Sequence, residues 1–174
     1  MVRTLFVAAT GAILLAASYA QTPPRLDLQE VPFAMVRVQD PFFAPRRATN
    51  MKVTLEHSLR QLEETGTLGN FDVAAQGRRE GFKGYVFQDS DAYKALEAIA
   101  FALATDPDAE LSARFDAIVD RIAKAQQPDG YLNTSYLGTR PGTRFVNLRD
   151  DHELYCAGHL FEAAAAHWQA TGKK

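Results

Sequence analysis

Apolar positions in this chain recur mostly at helical spacing. Met51, Leu55, Leu59 and Leu62 predict a first helix over about Thr49 to Thr65, with Gly66 as its left-handed stop. Ala92, Leu96, Ile99 and Leu103, at i, i+4, i+7 and i+11, predict a second helix running to about Thr105, with Asp89, Ser90 and Asp91 as alternative N-caps. Asp106-Pro107 is expected to cap and open a third helix whose buried stripe is Leu111, Phe115, Ile118, Val119 and Ile122. The short turn between the second and third helices predicts an antiparallel αα-hairpin, closed by Pro128-Asp129-Gly130. A fourth helix is expected from Asp150 or Asp151 to Thr171-Gly172. Leu154, Gly158, Phe161, Ala165 and Trp168 form one of its stripes, and Cys156, Ala163, Ala164, His152 and His159 lie on another face. A helix apolar nearly all round needs cover on several sides, and only three other helices are expected here to provide it.

The remaining segments read differently. Val36 and Val38 suggest a short strand, Pro41-Phe42-Phe43 an apolar anchor after it, and Pro45 its end. Gly66 to Gly84 carries Arg78, Arg79 and Lys83 and reads as a long irregular loop, and Tyr131 to Val146 as another. With no strong period-2 segment after residue 50, the expected fold class is all-α, preceded by a short N-terminal strand segment. At the start of the chain, Arg3, the apolar run Leu5 to Ala17 and Ser18-Tyr19-Ala20 resemble a secretory signal peptide cut after Ala20. The run is shorter than the roughly 20 apolar residues needed to span a bilayer. The expected organisation is a signal peptide at 1–20, a Pro23-Pro24 linker at 21–32 and a helical domain at 33–174. The expected destination is the periplasm or the medium, with no membrane attachment after cleavage.

Composition narrows the classes. The chain has 174 residues, 47% of them hydrophobic, and a formal net charge of −2, which becomes −3 when Arg3 leaves with the signal. That profile excludes a disordered chain. Lys and Arg are dispersed, so nucleic acid is not an expected partner. Cys156 is the only cysteine, so no disulfide forms within the chain despite the oxidising destination.

The segment from His152 to His159 carries the most chemical information. His152, Cys156 and His159 share a helix face at i, i+4 and i+7. A zinc-protease signature needs histidine at the second of these positions, where Cys156 stands. Three ligands on one straight helix rarely converge on a tetrahedral ion, so no metal ligand is assigned. The helix N-terminus disfavours a positive charge on His152, and a neutral imidazole there donates one hydrogen bond and accepts another. That suits a sugar hydroxyl, or equally a neighbouring backbone carbonyl. Only one of Asp89, Ser90 and Asp91 can cap, which leaves a carboxylate to face a ligand. Tyr85, Phe87 and Tyr93 form either an apolar platform for a sugar ring or part of the core.

Four blocks carry a family resemblance: Phe87 to Lys94, Ala125 to Thr134, Asn147 to Asp150, and His152 to His159 with Glu162-Ala163-Ala164. They resemble, in order and spacing, the N-terminal part of the β-L-arabinofuranosidases of glycoside hydrolase family 127. The resemblance implies a partial (α/α)6 barrel built from its first helical hairpins. It also implies retaining hydrolysis of terminal β-L-arabinofuranosyl residues from plant-type glycans. The implied substrate-binding residues are His152, Asp89, Ser90, Asp91 and His159, and the implied partner is an L-arabinofuranose-containing oligosaccharide or polysaccharide. Zinc, expected in full-length family members, holds a nucleophilic cysteine there. The resemblance places the nucleophile, the acid/base glutamate and the zinc ligands beyond residue 174, so no catalytic residue, metal ligand or cofactor is expected within this chain. The chain is accordingly expected to be the N-terminal portion of such an enzyme and inactive alone. The rival expectations are a small secreted helical carbohydrate-binding module and a zinc-binding helical protein.

Overall fold

The computed structural model describes residues 28–140 and 142–173. The expected signal peptide and residues 21–27 of the linker lie outside the described residues, as does Pro141. From Val31 onward the chain is one compact unit.

Among the described residues this unit has seven α-helices: α1 (Phe43–Thr49), α2 (Leu55–Glu64), α3 (Thr67–Ala75), α4 (Asp89–Thr105), α5 (Ala109–Ala125), α6 (Thr134–Gly138) and α7 (Glu153–Thr171). A π-helical turn, Asn50–Thr54, joins α1 to α2. The core lies between α2, α3, α4, α5 and α7 and is filled by Leu55, Leu59, Phe71, Leu96, Ile99, Phe115 and Ile122. The longest shared face is that of α4 with α7, while α5 packs mainly on α3 and touches α4 less. Arginines of α5 tie down its neighbours: Arg114 pairs with Glu56, and Arg121 bridges Glu63 and Asp72.

The helical class is as expected; the strand is not. Among the described residues there is no strand, and Phe33–Met35 forms a 3₁₀ turn. Val36 is extended but has no partner strand to pair with, and an unpaired strand is not stable in water. Asp40 accepts from the N–H groups of Phe42 and Phe43 and so starts α1, which places Pro45 in a first turn where no N–H is needed.

Other boundaries also moved. The stretch after Gly66 is not all loop, because its first half is α3. Thr67, Leu68, Asn70, Phe71, Val73 and Ala74 are all buried there, and burial overrides the weak helix propensity of Gly69. The second half is pinned by Asn70, whose side chain donates to the Lys83 carbonyl and accepts from the Lys83 N–H, both at 2.8 Å. Gly66 adopts φ 82°, and a β-carbon there would press on the Lys83 side chain.

Asp108, not Asp106, caps α5, accepting from the Leu111 N–H at 2.9 Å. Inside the expected loop after Tyr131, Asn133 accepts from the Tyr136 N–H and starts α6. No side chain caps α4, for Asp89 is its first residue and points inward. Of the two faces expected on α7, one is covered and the other is not. Cys156, Ala163 and Ala166 are buried, while Leu154, Phe161 and Trp168 are more than half exposed.

Asp89 is 2% exposed and joins α4 to α6. It accepts from the Thr134 N–H at 2.7 Å and from the Thr134 hydroxyl. Burial pushes its carboxyl up to about 6, against the opposing effect of the two Thr134 hydrogen bonds.

Two predictions follow from these tethers. Replacing Asn70 by Ala strands the Lys83 N–H and C=O and should destabilise the chain by about 1–3 kcal/mol, read as a lower denaturant midpoint at unchanged slope. Because the folded carboxyl of Asp89 lies above its ordinary value of 3.8, its contribution is complete below that pH and is lost as pH rises through about 6. Asp89→Asn should remove a pH dependence on the order of 1–3 kcal/mol, seen as a flatter profile of melting temperature from pH 4 to 7 than in the unaltered chain.

Candidate functional site

The N-terminal ends of α4 and α7 lie together, and the loops before each helix bring aromatic and polar groups to that place. His152 directly precedes α7 with φ 58° and ψ 23°, a left-handed conformation uncommon outside glycine. Its Nδ1 stands 2.7 Å from the Asp150 carbonyl oxygen. A carbonyl only accepts, so Nδ1 carries the proton and, in the neutral ring, Nε2 is left as an acceptor. The ring lies 5.2 Å from that of Phe87 and 5.6 Å from that of Tyr155.

Neighbouring carboxylates hold this turn. Asp151 accepts from the Tyr136 hydroxyl at 2.6 Å and from Arg140 at 2.7 Å, and these two, the hydroxyl first, keep its carboxyl below the ordinary range. Glu153, buried at the first turn of α7, accepts from the Tyr131 hydroxyl and from the Phe145 N–H at 2.7 Å. Burial, and then this bond to Glu153, raise the Tyr131 hydroxyl above its usual value. Tyr131, Tyr136, Arg140 and Phe145 are thereby fastened to the first turn of α7 and the residue pair before it.

The expected site residues divide into two groups. Asp89 and Ser90 are buried; the oxygens of Asp89 are occupied by Thr134, and the Ser90 hydroxyl is 3.5 Å from the Lys94 ammonium. Asp91 is exposed and accepts from the Gln88 amide at 3.1 Å. His152 and His159 are half-buried and flank Tyr155, whose ring meets His159 edge-on at 4.5 Å. Of the three aromatics, Tyr85 and Phe87 stack at 5.3 Å with planes 7° apart, whereas Tyr93 is core, packed against Phe71.

Cys156 does not join the two histidines. It is buried under α4, where desolvation first, and the nearby Asp89 next, push its thiol up to about 12. Among the described residues, the donors within reach of a single ion are Glu97, His159 and Glu162, whose ligand atoms lie within 4.8 Å of one another.

Sequence reasoning passed over Lys94, Glu97 and the Tyr155 hydroxyl. Lys94 donates to that hydroxyl at 2.5 Å, joining α4 to α7. A signal for them was present, because Ser90, Lys94 and Glu97 stand at i, i+4 and i+7 and so mark a polar stripe on α4.

Comparison with known proteins places this chain in a family. Residues 35–174 match the model of the β-L-arabinofuranosidase, glycoside hydrolase family 127 catalytic domain. A non-reducing end β-L-arabinofuranosidase of Bifidobacterium longum is 49% identical over 113 residues, covering 62% of this chain and 17% of the relative. The crystal structure of a family 127 β-L-arabinofuranosidase from Geobacillus stearothermophilus superposes with a TM-score of 0.77 at 43% identity, over 79% of this chain and 23% of that one. A second family 127 β-arabinofuranosidase structure matches with a TM-score of 0.77 at 38% identity, over 82% of this chain and 24% of its own. The chain thus spans less than a quarter of the length of these relatives, and its helices take the fold of the matching part, in keeping with a partial (α/α)6 barrel. With the family model matched along nearly all of its helical unit, the chain belongs to the β-L-arabinofuranosidases of glycoside hydrolase family 127.

Proposed function

We propose that this chain serves an exported enzyme that removes terminal β-L-arabinofuranosyl residues from glycans, and that its own residues bind the sugar and do not attack it. Family membership supports the reaction, and the geometry of His152 supports the binding role. With Nδ1 committed to the Asp150 carbonyl, the Nε2 lone pair accepts from a sugar hydroxyl, while the stacked Tyr85 and Phe87 rings offer their apolar faces to the C–H side of the sugar. Asp91 supplies an exposed acceptor beside them. Asp89 and Ser90, being buried, act on the sugar indirectly by fixing the Thr134 loop and the first turn of α4.

The family resemblance implies a zinc-held cysteine thiolate. Cys156 does not fit that part, since a thiol buried and pushed up to about 12 neither ionises near neutral pH nor reaches a ligand. No step of the reaction is assigned to it.

Two measurements test this reading. The chain alone should give no turnover of an aryl β-L-arabinofuranoside above background, and measurable turnover would overturn the binding-only role. In a titration with methyl β-L-arabinofuranoside followed by NMR, His152→Ala should weaken binding about tenfold, the worth of one well-made hydrogen bond. Equal binding by the variant and the unaltered chain would remove His152 from the site.

A further inference from the structure

We propose that the Tyr155 hydroxyl, polarised by Lys94, is a second hydrogen-bonding group of the sugar site and donates to another hydroxyl of the sugar that His152 holds. The inference rests on the sugar-binding reading of His152 and adds to it a specificity-determining donor. Its first support is the direction of one hydrogen bond. The Lys94 Nζ lies 2.5 Å from the Tyr155 Oη, across the face that α4 shares with α7. An ammonium group has protons and no lone pair, so the Tyr155 oxygen accepts and its own proton is left to donate.

The second support is that this proton has no taker nearby. Carboxylates along the same edge are engaged with other groups: Asp91 accepts from Gln88, Asp151 from Tyr136 and Glu153 from Tyr131. Among the described residues the hydroxyl of Tyr155 has Lys94 as its donor and no acceptor. Tyr155 is 42% exposed, so a ligand oxygen can reach it.

Placement is the third support. The His152 ring stands 5.2 Å from that of Phe87 and 5.6 Å from that of Tyr155, which meets it at 84°. On the Phe87 side the stacked rings suit the C–H face of a sugar, and on the Tyr155 side a donor adjoins the Nε2 acceptor of His152. An acceptor and a donor on neighbouring rings match two hydroxyls of one sugar, one donating to His152 and one accepting from Tyr155. The bond from a charged group strengthens the next one in line, so Lys94 is a positioning residue that acts through the Tyr155 hydroxyl.

Titration of the full chain with methyl β-L-arabinofuranoside, followed by NMR, tests the assignment. Tyr155→Phe keeps the ring and its contacts with both imidazoles and removes the hydroxyl alone, so binding should weaken about tenfold at unchanged melting temperature. Lys94→Met should weaken binding about threefold, and Lys94→Arg, which keeps a charged donor, should restore it. The double variant of Lys94→Met with Tyr155→Phe should bind no more weakly than Tyr155→Phe. Among methyl glycosides each lacking one hydroxyl, one should bind Tyr155→Phe and the unaltered chain equally, which identifies the oxygen that Tyr155 meets. Binding that His152→Ala weakens and Tyr155→Phe leaves unchanged would overturn this inference alone. Losses that add in the double variant would overturn the part given to Lys94. Absence of binding by the unaltered chain would overturn the sugar-binding reading and this inference together.

Discussion

The interaction on which the site depends is the burial of Asp89 against Thr134. A carboxylate removed from water costs several kcal/mol unless it is hydrogen-bonded, and here both oxygens are met by one residue of a distant loop. That demand fixes where Thr134 sits, and Thr134 is the first residue of α6. Two residues further on, the Tyr136 hydroxyl reaches Asp151, the neighbour of His152. One buried acid at the start of α4 thereby determines, through two hydrogen-bonded steps, where the strained turn before α7 lies. Glu153 closes the same loop from the other side by taking the Tyr131 hydroxyl and the Phe145 N–H. The polar groups that hold the site are structural, and the groups left over are the ones free to meet a ligand.

Helix α7 shows how one segment serves several demands. Cys156, Ala163 and Ala166 are small and let α4 approach closely. Leu154, Phe161 and Trp168 project from the opposite side, where none of the described helices covers them. His152, Tyr155, His159 and Glu162 follow the edge of the buried face, next to Ser90, Lys94 and Glu97 of α4. Along this edge polar side chains of α7 meet partners from α4, and further along the helix His167 stacks on Phe115 of α5 at 4.0 Å.

What could be read from sequence follows from which signals are local. The stripes Leu55-Leu59-Leu62 and Leu96-Ile99-Leu103 located α2 and α4, because periodic burial dominates over long segments. The four family blocks located the family itself. Three features were not legible. Helix α3 contains Gly69 and polar Asn70, and it is helical because surrounding helices bury it. The Val36 to Val38 strand needed a partner that no local pattern supplies. Asp89 and Asp108 illustrate the third difficulty: each precedes or opens an apolar helix and looks like a cap, but Asp108 alone acts as one, since a tertiary partner, Thr134, claims the carboxylate of Asp89. The role of Lys94 depended on which face of α4 meets α7, a fact that a single helix does not contain.

Tyr155 is the residue at which these parts meet. Its ring touches both imidazoles, at 5.6 Å from His152 and 4.5 Å from His159, and its hydroxyl takes the Lys94 ammonium at 2.5 Å. Tyr155 is itself 42% exposed, so the contact it makes between the two imidazoles lies at the rim of the packed face and not in the core.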